Sequence, residues 1–496
     1  MQNFSPSKMF EKRRYQGIWW IPGSDTKCYG TLFFDIDGEQ KLCLIGNIEE
    51  ENPLSFVVNS RFRTIHGECW INRKLTCVTV FDAVCINLTT NLLDTKALPE
   101  STLSFSELWI GNVHYNTRED ISFSVVYFGL NNLEKWKNDK GVFVSTIEEH
   151  LKSVSTDMKT PESIVLFSDE KVTISIDYIK QFPQLSIGQT EYTISCTPSI
   201  RISAKNGSLP YYGNEGTFEY YSLFMYHLFS LFLFGQTFFF CMHGYQSAPQ
   251  GDLSIQPIQE ELLYARDITA KQRKSIHLLQ DVLFPYCVIK DCLEVFIVSF
   301  HREYKRMRIV LETLLSSIQS SSYTTESLPR LLYSLEGLQQ LFYHSLGEGR
   351  SPENIENYTL FNETKNKIVQ LCDTEDLKRF VRENIHWKKT FRDRLFYILM
   401  DNRNIFDFLN DSISGRLSDD FKKIRNDAAH SNERDSSFID YTLLLHQVFF
   451  VHFLHIAIIM KTFGVSPEEI KSRLKTTFRC YFDATMEYLR NHYETI

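Results

Sequence analysis

The segment Asp419-Asp420-Phe421-Lys422-Lys423-Ile424-Arg425-Asn426-Asp427-Ala428-Ala429-His430 puts an arginine, an amide and an imidazole in one short stretch between two apolar helical patterns. On an ideal helix Asn426 and His430 lie one turn apart and share a face, so the amide can orient the imidazole. Arg425 and His430 are five positions apart, about 140° around the axis, so one helix cannot easily aim both at one atom. A second copy of the chain, or a break near the helix end, is needed to build a compact site. These residue types suit metal-free cleavage of RNA. That reaction needs a base for the ribose 2′-hydroxyl, an acid for the leaving 5′-oxygen and positive charge on the phosphorane-like transition state. Histidine moves protons near neutral pH, and arginine grips phosphate with its planar fork.

The elements that must position this segment are helical. From about residue 260 apolar residues recur at three-to-four spacing, predicting helices over 273–284, 288–319, 327–345, 366–371, 376–384, 387–401, 419–430, 438–463 and 467–493, with loops over 347–356 and 402–417. Ser466-Pro467-Glu468-Glu469 is a helix start, with serine as cap and acids facing the dipole. Residues 1 to about 215 read instead as short strands separated by turn residues at sandwich-like or barrel-like intervals. Among them is a hairpin over 29–46 around Asp37-Gly38. The apolar run from Phe218 to Met242 is broken by Glu219, His227 and Gly235-Gln236, and predicts a buried helix, a turn and a strand. The run 443–460 carries His446, Gln447, His452 and His455, which would be costly in lipid, so neither run is read as a membrane span.

Composition bounds the rest. The 496 residues are 43% hydrophobic and 23% charged, which excludes wholesale disorder, and the net charge of −8 excludes a uniformly basic nucleic-acid glove. The 11 cysteines never form Cys-x-x-Cys and most lie in apolar stretches, as expected of buried thiols in a reducing compartment rather than disulfides or zinc ligands. The polar N-terminus lacks an apolar signal core, so the cytoplasm is the expected location. Between Lys378 and Arg394 seven basic residues face two acids. Lys378, Arg379, Arg382, Lys388, Lys389 and Arg392, with Lys422 and Lys423, are the candidate RNA-binding residues, and His386 and Trp387 the candidate stacking groups. The plain alternative for any one of them is a solvated helix face. His446, His452 and His455 lack a partner carboxylate and read as core or interface residues; no metal and no cofactor is expected. Arg61 and His66 repeat the spacing of Arg425 and His430 without the amide, and read as surface chemistry on the β-rich half.

Arg425-Asn426-x-x-x-His430 resembles the signature of the HEPN superfamily: arginine, a polar residue, a short variable stretch and histidine in a helical bundle. The whole chain, with its β-rich front, the phrase Tyr127-Phe-Gly-Leu-Asn-Asn-Leu-Glu-Lys-Trp136 and the Phe-rich helix–strand unit, resembles the ApeA-type anti-phage proteins. The resemblance implies an α+β protein in three parts. These are a β-rich sensor or regulatory domain over 1–250, a helical connector over 251–354 and a HEPN-like nuclease bundle over 355–496. It also implies a metal-independent endoribonuclease of an abortive-infection system, acting on RNA with tRNA among the candidate substrates and leaving a 2′,3′-cyclic phosphate. Arg425, Asn426 and His430 would be catalytic in a composite homodimer site, with a phage-derived trigger and no membrane partner. The rival reading is a non-catalytic RNA- or protein-binding HEPN module with a ligand-sensing β-domain.

Overall fold

The computed structural model describes residues 13–34, 40–46, 48, 61–71, 74–89, 98–138, 142–147, 154–159, 161–181, 195–235, 237, 239–246, 258–263, 282–320, 323–343, 355–384, 390–429 and 440–495. The chain forms two compact units, Met1–Leu279 with Pro285–Val288, and Gln280–Phe284 with Ile289–Ile496.

The first unit is β-rich. Strands β1 (Arg13–Trp20), β2 (Cys28–Phe34), β3 (Lys41–Ile45), β4 (Arg61–Ile71), β5 (Lys74–Thr89) and β6 (Glu100–Ser104) pair antiparallel in the order β5-β4-β1-β2-β3-β6. β6 pairs back onto β5, closing a six-stranded barrel. Alternation along the strands produces it: Cys28, Leu32 and Phe34 on β2 and Leu42 and Leu44 on β3 point inward around Trp19. Gly67 makes room for that indole, because a Cβ there would lie 2.4 Å from the Trp19 ring.

The sheet then continues away from the barrel. Its remaining strands are β7 (Glu107–Gly111), β8 (Ser122–Phe123), β9 (Val125–Leu130), β10 (Val142–Ile147), β11 (Val154–Lys159), β12 (Ile164–Ser168), β13 (Val172–Gln181), β14 (Ser195–Ala204), β15 (Leu209–Pro210), β16 (Phe239–Gln246) and β17 (Ile258–Leu263). From β5 the order runs β7-β17-β16-β9-β14-β13-β12, while β10–β11 and β8–β15 form separate antiparallel pairs. The long strand β5 serves both layers: Cys77–Phe81 pair with β7 and Val84–Thr89 with β6. Asp82 lies between the two registers with φ 51, a left-handed conformation that lets the strand change partners. Helices α1 (Leu133–Lys137) and α2 (Phe218–Phe232) unite the two stretches singled out in the sequence. Trp136 meets Phe229 edge-on at 4.9 Å and stacks on Phe232 at 6.0 Å.

The second unit is helical. After the short α3 (Tyr286–Ile289), all but the last residue of which belongs to the first unit, it comprises α4 (Leu293–Gln319), α5 (Ser327–Phe342), α6 (Ile355–Leu371), α7 (Glu375–Asn384), α8 (Phe391–Asp401), α9 (Asp411–Ala429), α10 (Tyr441–Thr462), α11 (Pro467–Phe478) and α12 (Cys480–Thr495). α10 is buried almost all round, packed by α4, α5, α11 and α12. Among the described residues it is the one helix long and apolar enough to cross a membrane, and most of its apolar window is inside the fold. α9 packs against α5, α8 and α12, so α5, read from sequence as connector, lies against the helix that carries Arg425.

Boundaries differ from the sequence reading where local chemistry intervenes. α9 begins at Asp411, inside the expected loop, because Asn410 caps it by accepting the Ile413 N–H at 2.9 Å. The helix expected over 467–493 is two helices, broken at Arg479 with φ 41. His66 is a correction: it is buried rather than on the surface, bonded to the Tyr115 carbonyl at 2.9 Å and stacked on His114 at 4.6 Å. The Asp37-Gly38 turn of the expected hairpin lies outside the described residues. The described cysteines are free thiols, and burial pushes Cys28 up to about 11 and Cys69 up to about 12.

Candidate functional site

The apolar stripe of α9, with Ile413, Leu417, Phe421 and Ile424 buried, fixes how the helix lies. Arg425 follows that stripe by one residue, so its side chain emerges at the edge of the helix contact, 28% exposed. Its Nη2 donates to Glu336 Oε2 of α5 at 2.8 Å. The other carboxylate oxygen, Oε1, accepts from Nη2 of Arg394 on α8, also at 2.8 Å. Two guanidinium groups thus share one carboxylate, leaving the trio with a net charge of +1. The Arg425 guanidinium carbon lies 5.4 Å from the Tyr333 ring centre and 5.5 Å from that of Phe391, and the Tyr333 hydroxyl donates to the Arg425 carbonyl at 3.3 Å. Asn426 is half-buried beside it, its Oδ1 accepting from Arg425 Nη1 at 3.3 Å.

His430 lies outside the described residues, one position beyond the end of α9 at Ala429. Lys388, Lys389, His386 and Trp387 lie outside them as well. The other candidate RNA-binding residues divide into paired and open. Lys378 bonds Glu375 at 2.8 Å and Arg379 approaches Asp376 at 3.9 Å, both within α7. Arg382 is exposed, with its carbonyl bonded by Lys365 Nζ at 2.9 Å. Arg392 grips Asp419 with two bonds, Nε–Oδ1 2.6 Å and Nη2–Oδ2 3.1 Å, which holds the Asp419 carboxyl below the usual carboxylate range. Lys422 and Lys423 are exposed on α9. Arg425, Asn426, Arg392, Lys422 and Lys423 are therefore carried by α9 and the helix packed on it. Among the described residues no hydrogen bond or ion pair joins Lys378, Arg379 or Arg382 to Arg425.

Sequence reasoning missed Glu336 and Tyr333, and counted Arg394 only as part of a basic run. The available signal was Tyr333-x-x-Glu336 on α5, where the helix between Ser327 and Phe342 carries a single acid in a strongly apolar pattern. The α10 histidines are structural. His452 bonds Ser317 Oγ at 2.9 Å, and His455 bonds the Val451 carbonyl at 2.7 Å and Ser334 Oγ at 3.2 Å. Burial pushes them down to about 3 and about 4. His446 stacks on Tyr488 at 4.3 Å and faces Thr485. Among the described residues, no group of three or more His, Cys, Asp or Glu gathers in a metal-binding arrangement.

A β-rich region of antiparallel strands followed by a helical unit with a caged arginine near a helix end defines an α+β protein whose candidate chemistry sits in its helical part. Residues 14–298, more than half the chain, match the family described as ApeA N-terminal domain 1, and the chain belongs to that family. It is an ApeA-type defence protein. No curated protein matches the chain, and no solved structure matches it.

Proposed function

We propose that this chain is the effector of an anti-phage abortive-infection system, a metal-independent HEPN-type endoribonuclease whose site is completed across a homodimer. The observation that carries the reading is Arg425, held by Glu336 at 2.8 Å four residues before the end of α9 at Ala429, with Asn426 beside it and His430 next in the sequence after the helix. In the proposed reaction an imidazole takes the 2′-hydroxyl proton, the 2′-oxygen attacks phosphorus, and the bond to the 5′-oxygen breaks as that oxygen gains a proton. The products are a 2′,3′-cyclic phosphate and a 5′-hydroxyl. Arg425 stabilises the transition-state phosphate, Asn426 orients His430, and Lys422, Lys423 and Arg392 line the approach of the strand, tRNA being the first substrate to try. Membership of the ApeA family supports the defence role; the β-rich residues 1–250 are assigned sensing of a phage-derived trigger, and the nuclease is assigned to 355–496 together with α5, which lies within the expected connector 251–354 but packs on α9.

The test is RNA incubated with the purified protein. Cleavage to cyclic-phosphate ends that persists in EDTA and is abolished in His430→Ala bears the proposal out. Full activity in that variant, or loss in EDTA, overturns it. A non-catalytic RNA- or protein-binding module is the second reading, favoured by the ion pairs already made by Lys378, Arg392 and Arg425, and it predicts binding without cleavage.

A further inference from the structure

We infer that Glu336 and Arg394 are positioning residues for Arg425, an assignment that rests on the nuclease reading above. A carboxylate facing one arginine usually takes both edges of its fork, and so occupies the donors a phosphate would use. Here that capture is blocked. Arg394 Nη2 takes Glu336 Oε1 at 2.8 Å, so Arg425 is held through Oε2 by its Nη2 alone. Its Nη1 keeps only the longer 3.3 Å bond to Asn426 Oδ1. Tyr333 and Phe391, from α5 and α8, flank the guanidinium at 5.4 and 5.5 Å and limit its rotation. The guanidinium is thereby fixed by one nitrogen, while the other is held weakly enough to be given up to a phosphodiester oxygen. Arg394 has a second anchor, Nε to Gln339 Oε1 at 3.4 Å, and Glu336 and Arg394 are each less than a fifth exposed, so the arrangement is part of the packing between helices. Without Arg394, Glu336 would be free to close on Arg425 with both oxygens. Without the charge of Glu336, Arg425 would lose its fixed point.

The experiment is steady-state cleavage of RNA by the full chain carrying E336Q, E336D, R394A, R394K or R394A with E336Q, each checked for folding by circular dichroism. Displacing a transition-state group by about 1 Å costs about 10²-fold. E336Q is therefore expected to lower kcat by about that factor with KM little changed, and E336D to restore most of it. R394A is expected to fall at least as far and R394K to stay near wild type, since lysine still occupies Oε1. Adding E336Q to R394A is expected to raise activity back to the level of E336Q alone, which simple loss of packing cannot do. Activity in E336Q equal to or above wild type, or a double variant at the product of the two single losses, overturns the inference. Should E336Q not fold, equal rates in R394A and R394K overturn it by themselves. A wild-type protein that cleaves no RNA overturns the nuclease reading and this inference together. Cleavage lost in H430A but intact in E336Q overturns this inference alone.

Discussion

Arg118 in the β-rich unit and Arg425 in the helical unit are surrounded by the same kinds of group in inverse proportion. Arg118 is gripped by two carboxylates, Glu107 through Nε at 3.0 Å and Asp82 through Nη2 at 2.5 Å, beside the rings of Phe81 and Tyr212. Arg425 shares a single carboxylate with a second arginine, beside the rings of Tyr333 and Phe391. The first trio carries −1 and the second +1. In the first, the cation is consumed. Glu107 is 5% exposed, burial pushes its carboxyl above the usual range, and Arg118 and the Trp109 indole N–H, 2.5 Å from its Oε1, work against that shift. Arg118 thereby ties the left-handed Asp82, where β5 changes partners, to β7. In the second, positive charge is left over where a helix ends, and that surplus is what an anion can use. Local stoichiometry, rather than the presence of an arginine, separates a strut from a candidate site.

The largest effect expected from this contrast is on rate. Arg425→Ala should lower RNA cleavage by about 10²–10³-fold, the cost of removing one transition-state donor, while leaving the unfolding midpoint nearly unchanged because Arg394 still pairs with Glu336. Arg118→Ala should do the reverse. It leaves a buried carboxylate without its cation and should cost about 3 kcal/mol of stability, the low end for a broken buried pair since Arg118 is about a third exposed. Its rate per folded molecule should equal wild type. Urea unfolding and single-turnover cleavage of both variants decide the matter, and a slow but fully stable R118A protein would erase the distinction.

Acid should separate the two units next. His452 and His455 are held neutral, with folded values of about 3 and about 4 against an unfolded value near 6.5. Between those limits the unfolded chain binds more protons, so stability is full above pH 6.5 and falls as pH drops toward 4. The slope is at most about 1.4 kcal/mol per histidine per pH unit. Five of the 6 tryptophans, Trp19, Trp20, Trp70, Trp109 and Trp136, belong to the β-rich unit. On acidification the helical circular dichroism signal should therefore fail before tryptophan fluorescence changes, and His455→Gln should flatten the dependence. Coincident loss of both signals in the wild type would contradict this. The smallest effect is expected of Asp82→Asn. The amide tolerates the same positive φ, and the lost half-exposed ion pair is worth at most about 1 kcal/mol, so its melting temperature should move little.

Much of the architecture was legible in the residues. The two apolar runs on either side of Asp37-Gly38 announced the antiparallel pair β2–β3, and the apolar pattern over 438–463 announced a buried helix. The Ser466-Pro467 helix start holds, with the serine hydroxyl accepting the Glu469 N–H at 3.2 Å. Barrel closure was not legible, because β6 meeting β5 depends on a register change at Asp82 that no local pattern marks. The break at Arg479 escaped for a similar reason, since the apolar spacing continues across it. His66 was misplaced because its burial comes from Tyr115 and His114, nearly fifty residues away.

Composition and periodicity by themselves determined that a strand-rich front precedes helices, and that Arg425 and Asn426 are neighbours near the end of one of them. Local forces suffice for that, since alternation and helical spacing act over a few residues. What surrounds Arg425 was decided only in three dimensions. Glu336 comes from 89 residues upstream and Arg394 from another helix, and ion pairing falls off too steeply with distance to be assigned before the chain brings such groups within 3 Å.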